Sequence, residues 1–175
     1  MIKKKSVGIQ LLGKNTDNKL VAILQVRAKW NAEKNAPETY AGSCQVTIHG
    51  ELEESENFIQ ALLREAKEEL GEEIVPIIKT LSKKGQLVEL VNLETPEKHV
   101  ITYGGILEEK VWKKLLEKQK SPSFGGFRII KQDEIKKISN LQISDRITGT
   151  TDENIIAMFP DEKEAIKLAF DKLSI

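Results

Sequence analysis

Glu65, Glu68 and Glu69 are the residues whose type and spacing most directly suggest chemistry. Good helix formers run unbroken from Asn57 to Leu70, with Ser55 as the expected N-cap and Gly71 as the stop. Wound at about 100° per residue, the segment gathers Ile59, Leu62, Leu63, Ala66 and Leu70 on one face and the three glutamates on another. Like charges three and four residues apart destabilise an isolated helix by a few tenths of a kcal/mol per pair, so the arrangement calls for compensation. Glu69 also falls between Phe58 and Leu62 on the wheel, where full solvation is not expected. A divalent cation would relieve both problems, since hard cations such as Mg²⁺ take carboxylate oxygens and share them with substrate phosphates. Arg64, one residue before Glu65 and four before Glu68, is placed to pair within the helix and orient its neighbours. Periodicity alone leaves a solvated acidic face open as the alternative.

The rest of the chain must hold that helix in place. Its 175 residues, 39% hydrophobic and 31% charged, suffice for one core and not for two ordinary domains, so a single domain over 1–175 is expected. Lys plus Arg and Asp plus Glu each number 27, which leaves no global basic field for a nucleic-acid backbone. The acids are 21 Glu and 6 Asp, and many of the glutamates crowd between Glu51 and Glu73. One cysteine, Cys44, excludes an intrachain disulfide and a zinc site built on several thiolates. No apolar run is long enough for a membrane span, and Met1 to Lys5 is not followed by a signal-peptide pattern, so a cytoplasmic, membrane-free protein is expected.

Turn and breaker residues divide the sequence into strands at Ser6–Leu12 and Lys19–Arg27, a polar loop over Ala28–Gly42, and a strand at Cys44–Ile48. Beyond the glutamate helix, strands are expected at Ile74–Leu81, Leu87–Leu93 and His99–Leu107, and a lysine-rich helix at Glu108–Lys120. Phe127–Ile130 reads as a strand, Asp133–Ile138 as a short helix, and Glu162–Leu173 as a terminal helix opened by Pro160-Asp161. The elements mix without regular alternation, which makes the class α+β (mixed α/β).

The wider spacing around the helix resembles a known signature. Gly50, Glu56, Arg64-Glu65, Glu68-Glu69 and Gly71 occupy all seven fixed Gly, Glu and Arg positions of the Nudix box, which here spans Gly50 to Glu72. At ordinary residue frequencies such a match arises roughly once in 10⁸ starting positions, so coincidence is set aside. Ala66 and Glu72 replace the usual larger aliphatic residues, and His49 stands where another glycine is frequent. The resemblance implies a Nudix-type fold, a mixed β-sheet flanked by helices in a sandwich. It also implies hydrolysis of a diphosphate linkage in a nucleoside diphosphate derivative, with Mg²⁺ or Mn²⁺ as cofactor and a small-molecule nucleotide as substrate. Carried over by position, Glu65, Glu68 and Glu69 would hold the metal with the Gly50 carbonyl, while Glu56 and Arg64 would form an ion pair bracing loop against helix. Relatives often self-associate, which makes a homodimer an expectation of the same kind.

The general base stays open between the box glutamates and Glu108 or Glu109, whose ordinary reading is the acidic first turn of a helix. His49, Trp30, Tyr40 and Phe124 have both structural and ligand-contacting readings, and Cys44 reads as a small buried residue. Gly125-Gly126 lacks the Lys-Ser/Thr of a phosphate loop and reads as a turn. A catalytically inactive nucleotide-binding protein of the same fold is the competing reading. An isomerase of prenyl diphosphates on this fold is suggested only faintly, by Cys44 and His49.

Overall fold

A computed structural model describes residues 2–174. In chain order the elements are β1 (Lys4–Lys14), β2 (Leu20–Val26), β3 (Trp30–Asn31), β4 (Ala36–Pro37), β5 (Cys44–Gln45), β6 (Ile48–Glu51), α1 (Phe58–Leu70) and α2 (Ile74–Lys83). They continue as β7 (Val88–Glu94), β8 (Lys98–Leu107), α3 (Glu109–Leu116), β9 (Phe127–Ile130), a 3₁₀ turn (Gln132–Lys137), β10 (Ser139–Asn140), α4 (Asp145–Thr148), β11 (Ala157–Met158) and α5 (Pro160–Leu173). The main sheet is mixed, in the order β5-β2-β1-β8-β7, with β6 also on β1 and β9 also on β2. Alternate residues of β1 feed two cores. Val7, Ile9 and Leu11 pack with Leu62, Ala66 and Ile78 under α1 and α2, whereas Leu12 packs with Ile166 and Phe170 of α5 on the other face. Helices therefore flank the sheet on both sides, as the fold class requires.

The sheet forks at Gln10. Ser6 to Ile9 pair antiparallel with β6, and Leu11 to Lys14 pair antiparallel with β2. Between them the chain crosses from β5 to β6, and Thr47 plugs the gap. Its hydroxyl donates to the Ile23 carbonyl at 2.6 Å and accepts from the Leu11 amide at 2.8 Å. The fully buried Gln10 amide donates to the carbonyls of Leu11 and Ile23. Side chains thus replace the ladder bonds that separating strands would leave unmade.

Several expectations are corrected in detail. Ile74–Leu81 is helical, because Ile74, Ile78 and Leu81 bury one face at helical spacing and Pro76 sits in the first turn, where its missing N–H is not needed. The N-cap of α1 is Asn57, not Ser55: Asn57 accepts from the Gln60 amide at 2.9 Å while Gln60 accepts from the Asn57 amide at 2.9 Å. Ser55 lies instead in the left-handed region, φ 74°. The α3 helix stops at Leu116 rather than Lys120, and the short helix after β9 is a 3₁₀ turn. The small β3–β4 and β10–β11 ladders and α4 are too brief to have a readable period.

A carboxyl is buried beneath α5. Glu162, in the first turn, accepts from the Val46 amide at 3.4 Å, and burial, with Asp161 nearby, pushes it up to about 8 despite the opposing Arg27 charge. The folded protein then keeps Glu162 protonated where the unfolded chain ionises it, so this group's contribution to stability falls as pH rises from its ordinary value near 4.5 to about 8 and is flat above. Glu162→Gln should remove that slope and raise stability by on the order of 3 kcal/mol at pH 7, read by urea unfolding across pH; an unchanged profile would exclude the buried acid as its source. At the fork, Thr47→Val should cost about 1–3 kcal/mol by orphaning the buried Leu11 amide, while the Ile23 carbonyl keeps its bond from Gln10, measured by the same unfolding.

Candidate active site

Arg64 of α1 organises the acidic helix. Its guanidinium is bidentate to Glu56, with Nε donating to Oε1 at 2.8 Å and Nη2 to Oε2 at 3.0 Å. Nη2 also donates to the Glu51 carbonyl at 2.8 Å, tying the end of β6 to the helix. Nη1 donates to Glu65 at 2.8 Å and Glu68 at 3.4 Å. Glu56 in turn accepts from the Glu53 amide at 2.9 Å, so the connection from β6 to α1 is fastened at both ends. Hydrogen bonds from Arg64 hold the half-buried Glu56 carboxyl below its ordinary range, and Glu56 holds the guanidinium firmly protonated.

The three carboxyls of α1 have different surroundings. Glu65 lies against Gly50 so closely that a Cβ there would sit 1.9 Å from the Glu65 carboxyl carbon, a space that only glycine leaves free. Burial raises the proton affinity of Glu65, with Arg64 opposing. Glu68 is the most exposed, with 45% of its side chain open. Glu69 keeps part of its surface open, yet its carboxyl end is densely surrounded by protein. Burial pushes it well above the ordinary carboxylate range, the Glu65 charge adds to this, and the His49 backbone N–H draws it back. Among the described residues, no three His, Cys, Asp or Glu side chains close on one point as a ligand group. Arg64 draws Glu65 and Glu68 to itself, while Glu69 faces the sheet.

That sheet surface is polar because β2 changes character along its length. Gln25 opposes Gln45 on one side and Phe127 on the other. The end of the Gln25 amide faces two acceptors, Glu69 Oε2 at 3.0 Å and the Thr47 carbonyl at 2.9 Å, which assigns the amide nitrogen to that side as donor to both. Arg27, two residues on, donates to the Thr39 carbonyl, Gln45 and Glu38, and Asn31 donates to the other Glu38 oxygen. The Arg27 charge is felt at Glu69, and Glu33 of the same loop is felt at Glu65. Lys118, after α3, donates to the Glu69 carbonyl at 2.7 Å and lies 5.3 Å from the Phe124 ring centroid. Burial lowers its proton affinity while Glu69 raises it.

A family model for the NUDIX domain matches residues 3–148. The chain belongs to the Nudix family. Solved Nudix structures share the fold across nearly the whole length. A mutT/nudix family protein from Listeria innocua is 16% identical, with a TM-score of 0.63 over 99% of this chain and 96% of that one. The NUDIX domain of Shewanella oneidensis NrtR, complexed with ADP ribose, is 14% identical, with a TM-score of 0.56 over 99% and 90%. A C. elegans Ap4A hydrolase binary complex is 17% identical, with a TM-score of 0.50 over 98% and 99%. A search of curated proteins returns no match.

Gly50, Glu56, Arg64, Glu65 and Glu68 meet where β6 lies against α1, Glu69 faces the sheet beside them, Gly71 caps the far end of the helix, and the Glu56–Arg64 ion pair is present. Glu108 and Glu109 lie elsewhere: Glu109 pairs with Lys113 inside α3, and Glu108 lines an open groove with Pro76, Ile77 and Val111. Phe124 is buried edge-on to Phe127, and the Tyr40 ring meets Phe159 edge-on, so both anchor packing. Trp30 stays 39% exposed on the loop after Arg27. Cys44 is buried and pushed up to about 11, mainly by burial, which suits a packing role. Sequence reasoning missed Gln25, Arg27 and Lys118. The first two were signalled by polar residues at alternate positions of an otherwise apolar strand; Lys118 gave no signal. Arg64→Lys keeps the charge and loses the planar fork, and should lower stability by about 1–3 kcal/mol in urea unfolding; wild-type stability would refute the bracing role.

Proposed function

We propose that the chain is a divalent-cation-dependent hydrolase that cleaves a diphosphate linkage in nucleoside diphosphate derivatives. The observation that carries this reading is the complete acidic helix braced against Gly50 in a chain of this family. The donor set fits Mg²⁺ or Mn²⁺, since it consists of oxygens alone: the carboxylates of Glu65, Glu68 and Glu69 and the Gly50 carbonyl. A carboxyl as enclosed as Glu69 gains its charge most readily beside a cation. When bound, the cation would neutralise phosphate oxygens and acidify an attacking water.

The chain's own groups supply the rest. Arg64 and Glu56 fix the approach of the loop to the helix, which sets the distance between the Gly50 carbonyl and the carboxylates. Arg27 and Lys118 bring positive charge beside Glu69, where an anionic substrate would enter. A proton acceptor on α1 is favoured over Glu108 and Glu109, because Glu109 is engaged by Lys113 and Glu108 faces a different groove. The Ap4A hydrolase and the ADP-ribose-bound domain among the similar structures support a nucleotide derivative as substrate. The hold of Arg64 on Glu65 and Glu68, which competes with a cation for both, favours a second reading, a Nudix-fold protein that binds nucleotide without turnover.

A panel of nucleoside diphosphate derivatives with Mg²⁺ or Mn²⁺ should yield nucleoside monophosphate, and chelation should stop it. Glu68→Gln and Glu69→Gln should each lower kcat by about 100-fold or more with little unfolding. Wild-type turnover in either variant would remove the assigned ligands. Tight calorimetric binding of a nucleotide that stays intact would replace the hydrolase reading with the second one.

A further inference from the structure

We infer that Gln25 is a positioning residue for Glu69, holding Oε2 through a neutral donor that leaves the carboxylate its charge for a divalent cation; this rests on the hydrolase reading above. Gln25 is 7% exposed and lies on β2, outside the Nudix box. An amide nitrogen carries two hydrogens, and both are used here, one on Glu69 Oε2 at 3.0 Å and one on the Thr47 carbonyl at 2.9 Å. Thr47 is itself immobilised in the fork by the Ile23 carbonyl and the Leu11 amide. Glu69 is thereby referenced to the hydrogen-bonded fork of the sheet as well as to its own helix.

The chemical identity of the donor matters as much as its position. Arg64 engages Glu56, Glu65 and Glu68, and among the described residues no cationic side chain is ion-paired with Glu69. A neutral amide orients a carboxylate without neutralising it, so the full charge of Glu69 remains available to a metal ion. A lysine or arginine in the same place would orient the oxygen and at the same time repel the cation. Donors behind metal ligands typically govern affinity by 10- to 100-fold, a range that a single side chain at this position can supply.

The test measures Mn²⁺ binding to the whole protein without nucleotide, by electron paramagnetic resonance, alongside steady-state kinetics. Gln25→Met keeps length and burial but removes the donor. It should weaken Mn²⁺ binding by about 10-fold or more and lower kcat at saturating Mn²⁺ while leaving KM for the nucleotide unmoved. Gln25→Lys keeps a donor and adds a charge, and should bind Mn²⁺ more weakly than wild type even if the methionine variant fails to fold. Wild-type Mn²⁺ affinity in folded Gln25→Met or in Gln25→Lys would overturn this inference alone. A wild-type protein with no Mn²⁺ affinity would overturn the metal-dependent reading and this inference together.

Discussion

One guanidinium governs the geometry of the acidic helix. Arg64 is the point at which the end of β6, the connecting turn and α1 meet, because it donates to a backbone carbonyl and three carboxylates at once. Arginine suits this work, since its planar fork satisfies the bidentate Glu56 pair with two donors and still has others for Glu65 and Glu68. The cluster holds more negative than positive charge, so the same contact that fastens the loop also lessens repulsion among the glutamates. Gly50 completes the constraint from the other side, because the closeness of Glu65 depends on the missing Cβ.

The site is layered on the sheet in a way that separates its two supports. Glu65 and Glu68 answer to Arg64 within the helix, whereas Glu69 answers to Gln25 and the His49 backbone in the sheet. The fork at Gln10 makes this division workable. It opens β1 between two partners, lets the chain cross at Thr47, and thereby brings the edge of β6 beside α1. Lys118 adds a third tie by donating to the Glu69 carbonyl near the end of α1, where a positive charge is favourable.

Much of this was legible from residue order. The acidic helix and its stop at Gly71, the β1, β2, β7 and β8 strands and the terminal helix follow from periodicity and breakers. The helical Ile74–Lys83 segment was not, because its β-branched residues favour a strand locally and only packing against α1 shows which face must be buried. The N-cap moved from Ser55 to Asn57 because the capping box with Gln60 satisfies two amides at once. Gln25 and Arg27 were marked only by alternating polarity, which gives their side of the strand and not their partners. Their role depends on strands distant in sequence meeting at one place, and no local pattern encodes that meeting. The separate surroundings of Glu65, Glu68 and Glu69 were likewise hidden, since helical spacing sets proximity but not which oxygen finds which donor.

The central pairing has a consequence for how this chain comes to be folded. β1 lies parallel to β8 in a continuous register from Lys4 opposite Lys98 to Gly13 opposite Leu107. β1 therefore waits for a strand made far later, and one of its edges is unpaired in the interval. Closing so long a loop is costly in entropy before any contact rewards it, so the sheet should assemble slowly and late. The acidic helix packs on β6, α2 and β1, all made before β8, so its floor can be in place while the far edge of β1 still lacks a partner.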